Sequence, residues 1–256
     1  MSALIPAVRP LSQARRGTWT FLHGGARKTC HVYLMADVDA TRLKEARAAS
    51  GGKLSYVSLL VKAAADVVAA FPEARSMLQG STLRPRFAVL DDVDVKVLFD
   101  KTVAGERCVV AGTVHAAQNL AVLDVQNAID VYKDAEVADT GPFSQVKKVQ
   151  RLPLTLSRIA YRAAMANAAR RADIQGTFSV TSVGQEPVRA IFPMISGTLG
   201  FGIGRIADAT VVRDGQVHIA PQFTLSLAFD HRVIDGALAS EVLAQVKGRL
   251  ETWEVS

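Results

Sequence analysis

The sequence predicts a mixed α/β domain built around a large sheet, and three patterns lead to this prediction. Several short segments alternate apolar and polar residues, as half-buried strands do. Longer segments with the apolar spacing of helices lie between them. Near the C-terminus, Asp214-Gly215 separates two alternating segments, which is a strong signal for a hairpin turn. The chain has 256 residues, 49% of them hydrophobic and 21% charged, so it can bury a sizeable core.

The first half of the chain predicts strands and helices in turn. Residues 30–40 alternate as a strand does, and residues 41–50 begin with Thr and end before two glycines, as a short helix does. Residues 54–74 are apolar on most sides, which predicts a buried helix ended by Pro72. Residues 86–100 are predicted as one or two strands, residues 106–115 as a strand and residues 119–135 as a helix.

A basic segment follows. Residues 139–152 are polar and contain Gly and Pro, so we predict a loop. Residues 153–173 predict an Ala-rich helix with Pro153 in its first turn. Its basic side is compatible with a solvated face, a membrane-surface helix or a partner-binding helix. The arginines of that side are Arg158, Arg162, Arg170 and Arg171.

The last third of the chain predicts strands and a final helix. Residues 176–184 form a strand closed by glycine, residues 209–230 the hairpin, and residues 237–253 the helix. The glycine-rich segment 193–206 lacks the strand-turn-helix frame of a dinucleotide-binding motif, so we predict no nucleotide site there.

Charge and cysteine content narrow the class of protein. The net charge of +6 would suit nucleic acid, an anionic membrane or an anionic small molecule. The chain has no block of five basic residues and no zinc-ligand spacing, so we expect no nucleic-acid partner and no metal. Cys30 and Cys108 are too few for a disulfide framework. No secretory signal or spanning segment is apparent, so we predict a cytoplasmic protein without membrane contact.

The motif Asp-His-Arg-Val-Ile-Asp-Gly stands where the last strand gives way to the last helix. His231 can exchange a proton near neutral pH, and Asp235 can hold neighbouring groups through a salt bridge. Gly236 would permit a tight turn. Alternatively, a capping Asp235 and a hydrogen-bonded His231 shape only the junction of strand and helix.

The longer segment 225–251 resembles the C-terminal signature of the dihydrolipoyl acyltransferases, the core subunits of 2-oxoacid dehydrogenase complexes. Segments 30–47, 54–74 and 176–184 resemble the same family in the same order. The resemblance implies a single acyltransferase catalytic domain over residues 1–256. It also implies the chloramphenicol acetyltransferase-like fold, a two-layer α/β sandwich with a large mixed sheet flanked by helices, assembled as a trimer or a multiple of trimers.

The resemblance also implies roles for individual residues. His231 would be the general base, with its second ring nitrogen on its own backbone carbonyl. Asp235 would form a structural salt bridge with Arg15, or with Arg16. Thr181 would donate its hydroxyl to the oxyanion across a subunit boundary. From the residues alone, Thr181 is equally an ordinary strand residue. A shift of one residue in the alignment would move the donor role to a neighbouring serine, Ser179 or Ser182.

This sequence departs from the family in several places. We find no lipoyl domain or peripheral-subunit-binding domain, so we expect no covalent lipoyl group on this chain. The channel-lining segment is replaced by residues 105–117, where Cys108 is either a nucleophile or a buried strand cysteine. Residues 135–175 form an insert that is longer than its family equivalent. The other histidines lack metal-ligand spacing and are expected to be structural or solvated: His23, His31, His115 and His218.

The resemblance therefore predicts a coenzyme A-dependent acyltransferase acting on a lipoyl-type thiol or another small or carrier-bound acceptor. Acyl-coenzyme A would be a substrate, and a lipoyl carrier or a dehydrogenase would be a partner protein. A non-catalytic oligomeric scaffold of such complexes is the alternative function. A third hypothesis is a membrane-surface protein that uses the helix at 153–173.

Overall fold

The computed structural model describes residues 10–81, 83–103 and 105–254. Residues 1–9, where we predict no secretory signal, lie outside these ranges. The described helices are α1 (Gln13–Gly24), α2 (Thr41–Ala49), α3 (Tyr56–Ala69), α4 (Val122–Asp134), α5 (Ser144–Arg151), α6 (Leu154–Ala166), α7 (Ala168–Gln175) and α8 (Gly236–Glu251). None of the helices in these ranges combines the length and the apolar character needed to cross a bilayer.

The strands form one large sheet and one small one. They are β1 (His31–Asp39), β2 (Ser76–Ser81), β3 (Arg84–Val89), β4 (Val95–Val103), β5 (Glu106–Val114), β6 (Phe178–Ser182), β7 (Leu199–Ile203), β8 (Ala207–Arg213) and β9 (Gln216–Asp230). The seven-stranded sheet has the order β1-β9-β7-β6-β4-β5, and β8 pairs with the first half of β9. Strand β6 runs parallel to β4 and β7, whereas the other pairs are antiparallel. The large mixed sheet predicted from the sequence is confirmed.

The main core lies between one face of this sheet and helices α2, α3, α4 and α8. Helix α3 is apolar on most sides because it is buried among them, as predicted. Ser55 begins α3 with a reciprocal capping box to Ser58, which satisfies the first free backbone donors. The core side chains of β9 alternate as Leu225, Leu227 and Phe229, all fully buried. This alternation fixes the register of β9 and therefore the position of the residues that follow it.

A second apolar cluster joins α1 to β5. Ala14 of α1 packs with Cys108, Val110 and the fully buried Phe143. The sequence pattern did not predict α1, because its apolar residues are few and its side chains face a helical insert rather than the main core.

The hairpin turn is confirmed. Asp214 and Gly215 have positive φ angles of 51° and 76°, and Arg213 pairs with Gln216 across the turn. Both central residues adopt the left-handed backbone that Asp-Gly tolerates, and this twist matches that of the flanking strands.

Two local predictions for the insert are wrong. Residues 139–152 are not only a loop, because α5 forms there and buries Phe143 at its start. The helix predicted over residues 153–173 is two helices, since Asn167 ends α6 and accepts the Arg170 N–H at 3.0 Å as the cap of α7. An Asn side chain competes well for free N–H groups, which favours a helix start over helix continuation.

Candidate active site

His231 is the first residue after β9 and lies at the edge of the large sheet. Its backbone N–H donates to the Cys30 carbonyl at 2.9 Å, which continues the pairing of β9 with β1. Its ring is tilted against the buried Phe229 ring, with 5.5 Å between the centroids. The residue is exposed, and within the described chain its ring nitrogens make no hydrogen bond. The imidazole is therefore held on one side and open to a reactant on the other.

Asp230 anchors this turn. It is only 3% exposed, and its carboxylate accepts the backbone N–H groups of Cys30 at 3.4 Å and Arg232 at 3.1 Å. The Arg232 guanidinium binds the same carboxylate in a two-pronged pair at 2.9 Å and 2.6 Å. Hydrogen bonding to Asp230 raises the pKa of Arg232. This clamp is not among the features predicted from the sequence, although an acid, His231 and an arginine at the end of an apolar strand are a usable signal for it.

Asp235 and Gly236 start α8. The Asp235 carboxylate accepts the Leu238 N–H at 3.0 Å, so Asp235 is the N-cap residue and remains exposed. Gly236 has no positive φ angle, and an added Cβ would meet no atom within 4 Å. The tight turn predicted at Gly236 is thus not one that requires glycine, because the residue takes an ordinary place in the first turn of a helix.

Within one chain, the structure does not bring Arg15 and Asp235 together in an ion pair. Arg15 is exposed on α1, beside β5, where its charge acts on Cys108. The guanidinium of its neighbour Arg16 donates to the Leu152 carbonyl at 3.4 Å. A salt bridge from either arginine to Asp235 stays a prediction for an assembled form of the protein.

Thr181 lies in the middle of the sheet. It is half-buried on β6, directly opposite Gly202 of β7, which in turn faces Ser226 of β9. The alternation of β6 buries Val180 in the core and turns Thr181 to the other face. Of its neighbours, Ser182 accepts the Gly184 N–H at 3.3 Å.

His231 and Thr181 are far apart within one chain. Ser226 and His231 are five residue steps apart along the chain, and two strand spacings separate Ser226 from Thr181. Strand geometry converts this offset to roughly 19 Å, which is too far for both side chains to contact one reacting group. The two residues can act on one reactant only if they come from different chains.

Cys108, His31 and His115 are engaged away from this site. Cys108 is buried, and burial raises the pKa of its thiol, as expected of a structural cysteine. His31 accepts the Ile195 N–H at 3.0 Å, and His115 lies 3.2 Å from the Asp94 carboxylate. Across residues 10–81, 83–103 and 105–254, no group of three or more His, Cys, Asp or Glu side chains is arranged to hold a metal ion.

Comparison with known proteins places this chain in a family. The family model for the 2-oxoacid dehydrogenases acyltransferase catalytic domain matches residues 5–141 and 143–256. The acetyltransferase component of the Bacillus subtilis pyruvate dehydrogenase complex is 30% identical over 229 residues, which are 85% of this chain and 44% of that protein. The succinyltransferase component of the Rickettsia typhi 2-oxoglutarate dehydrogenase complex is 25% identical over 208 residues, covering 79% of this chain and 42% of that protein. This chain thus spans less than half the length of these relatives.

Solved structures show the same fold. A probable dihydrolipoamide acetyltransferase from Listeria monocytogenes has a TM-score of 0.71 at 20% identity, covering 100% of this chain and 97% of that chain. Chloramphenicol acetyltransferase has a TM-score of 0.54 at 13% identity, covering 94% and 96%. The chloramphenicol acetyltransferase-like fold predicted from the sequence is confirmed. Because the family model covers nearly all of its residues, the chain belongs to the 2-oxoacid dehydrogenase acyltransferase family, as a catalytic domain.

Proposed function

We propose that this chain transfers an acyl group between coenzyme A and a thiol acceptor of the lipoyl type, or another small or carrier-bound acceptor. His231 is the general base. The observation that carries the proposal is the exposed imidazole at the end of β9, anchored through the buried Asp230 clamp and without an internal partner for its ring nitrogens. A base that must meet a substrate needs this combination of fixed backbone and free ring.

The reaction follows from the chemistry of a thiol near neutral pH. Most of an ordinary thiol is protonated there, so a base increases the reactive thiolate. His231 takes the thiol proton as the sulfur attacks the acyl carbonyl carbon. The tetrahedral intermediate collapses by breaking the original carbon-sulfur bond, and the imidazolium returns the proton to the departing thiolate. The acyl group has then changed sulfur, and His231 is neutral again.

Thr181 of a neighbouring subunit donates its hydroxyl to the oxyanion of that intermediate. Such a donor lowers the barrier by about 3 to 4 kcal/mol. The separation of the two residues within one chain supports a site shared between subunits, and we therefore propose a trimer or a multiple of trimers. A lipoyl carrier or a dehydrogenase component is the partner protein that family membership suggests.

Replacing His231 tests the proposal. We expect His231→Ala to lower kcat for acyl transfer from acetyl-coenzyme A to dihydrolipoamide by about a hundredfold or more, because the general base is lost. His218→Ala is the matched control, since His218 is also an exposed histidine and lies on β9. Unfolding transitions of both variants should match the wild type. Undiminished transfer by His231→Ala would refute the base role, and a wild-type chain without transfer would favour the scaffold alternative.

A further inference from the structure

The positive charge of this protein is concentrated in one segment. The chain has 30 Lys and Arg residues and 24 Asp and Glu residues. Residues 140–172 contain seven of the basic residues and none of the acidic ones, so the rest of the chain has 23 basic and 24 acidic residues. The net positive charge therefore belongs to the segment that forms α5, α6 and most of α7, and the remainder is almost neutral.

The inner face of α6 fixes this helix to the body of the protein. The Ser157 hydroxyl is buried 3.3 Å from the Thr20 hydroxyl of α1. The Tyr161 ring lies directly over the end of α1, where a Cβ added to Gly24 would be 2.7 Å from the ring. Helix α6 thus presents its other face to solvent in a defined orientation.

That outer face is an apolar stripe with an arginine along one edge. Leu156, Ile159, Ala160 and Ala163 have the i, i+3, i+4, i+7 spacing that places side chains on one helix face, and all four are exposed. Leu156 is 52% exposed and Ile159 is 64% exposed. At 100° per residue, Arg162 lies about 60° from Ile159 on one side of this stripe, and Arg158 lies about 40° further round the helix on the same side. Neither arginine has a carboxylate partner among the residues that the structure describes.

We propose that this outer face of α6 is a docking surface for an acidic amphipathic helix of a partner protein. Leu156 and Ile159 would be the apolar anchors, at the spacing that helix-in-groove recognition uses. The two alanines allow the backbone of the partner helix to approach closely. Carboxylates on the partner would pair with Arg162 beside the stripe, and the charge of Arg158 would help to steer the approach. The proposal goes beyond the proposed function, since it does not depend on the chemistry at His231.

Other occupants fit this surface less well. Helices that bind the surface of a membrane insert bulky Trp, Phe or Leu side chains, whereas half of this stripe is alanine. A second copy placed with α6 against α6 would set arginine against arginine, which opposes association. Both occupants become outcomes of the test.

The test uses a fluorescein-labelled peptide of Glu, Leu and Ala, designed as an acidic amphipathic helix, and a matched peptide with Lys in place of Glu. We expect fluorescence anisotropy to show binding of the acidic peptide only, weakening as salt is raised. Arg158→Glu/Arg162→Glu should weaken binding by about tenfold or more, and Ile159→Ser should weaken it severalfold. Lys44→Glu/Lys53→Glu changes the charge equally on a distant exposed surface and should have little effect.

Several results would overturn the proposal. The proposal fails if the acidic peptide does not bind. It also fails if the charge reversal Arg158→Glu/Arg162→Glu leaves peptide binding unchanged. If the protein binds phosphatidylglycerol vesicles instead of the peptide, and the double variant loses that binding, the face is a membrane-binding surface. A change in oligomeric state on reversal would make the face a subunit interface. Loss of coenzyme A binding with unchanged peptide binding would assign the arginines to nucleotide phosphates. Circular dichroism of each variant excludes misfolding as the cause.

Discussion

Two carboxylates flank His231, and they have different tasks within the chain. Asp230 is buried and organises the turn by binding Arg232 and the Cys30 N–H. Asp235 is exposed and caps α8. A cap contributes by accepting a free backbone N–H, so its charge matters less than its oxygen atom. An ion-pair role for Asp235 would require the charge itself.

The first prediction separates these two roles of Asp235. We expect Asp235→Ala to lower the free energy of unfolding by about 1 kcal/mol, because the α8 cap is lost. Asp235→Asn should restore nearly all of it, since Asn caps helices as well as Asp does. Urea denaturation at a fixed protein concentration measures both. If Asn were as damaging as Ala, a salt bridge with Arg15 or Arg16 in the assembled protein would explain the loss.

The second prediction concerns the two cysteines. Iodoacetamide should alkylate Cys30 in the native protein and leave Cys108 unmodified at neutral pH. Cys30 is exposed, whereas Cys108 is buried with a raised pKa, so little of its thiol is in the reactive thiolate form. Mass spectrometry of digested protein locates the label, and denatured protein provides the control in which both cysteines react. Native labelling of Cys108 would revive its candidacy as a nucleophile.

At the scale of elements, the glycines of β7 are explained by a chain crossing. The segment that contains Ile191 passes over the face of β7, and a Cβ on Gly202 would overlap the Ile191 carbonyl oxygen. A Cβ on Gly200 would overlap the Ile195 side chain in the same way. These glycines therefore provide room for close backbone approach. Their alternate spacing along a strand is the spacing of one sheet face, not of a nucleotide-binding loop.

The third prediction compares two glycines in different elements. Gly202→Ala should lower the free energy of unfolding by about 2 kcal/mol, because the added methyl group forces the crossing segment away from β7. Gly248→Ala should raise it by roughly 0.5 to 1 kcal/mol, since Gly248 is exposed within α8 and has open space around it. Denaturant titration measures both, and a stable Gly202→Ala protein would show that the segment over β7 is free to move.

At the scale of the whole molecule, the proposed roles of Thr181 and His231 would require an assembly. Thr181 lies on β6 in the central part of the sheet, two strands away from β9. His231 lies at the margin of the sheet, next to the Phe229 ring. In a cyclic oligomer the same two surfaces of each chain meet at every interface, so each boundary can form one complete site. A monomer would contain the two halves of a site without joining them.

The fourth prediction follows from this arrangement. His231→Ala and Thr181→Ala should each be nearly inactive as homo-oligomers. When the two variants are coexpressed in equal amounts, random cyclic trimers should recover about one quarter of wild-type activity, because one boundary in four combines an intact histidine with an intact threonine. Acyl transfer per chain is the measurement. Mixed oligomers no more active than their parents would refute a site shared between chains.

The sequence by itself determined the main elements and the family. The strands around β1, β5, β6 and β9, and helices α2, α3, α4 and α8, follow local periodicity that any compact packing must respect. The turn at Asp214-Gly215 was predictable because these two residue types readily adopt positive φ angles. The His231 motif was recognisable because its residues are adjacent along the chain. By contrast, α1 and α5 bury little apolar surface in the main core, and local pattern therefore missed them.

Only the tertiary structure decided which carboxylate is buried, which glycines lie under a crossing segment, and how far Thr181 is from His231. Each of these depends on contacts between residues distant in sequence, such as the Cys30 and Asp230 hydrogen bond across 200 positions. A spacing along the chain specifies a helix face or a strand face, but not the neighbour that will cover it. The exposed stripe of α6 likewise depends on α1, which covers the opposite face of the helix.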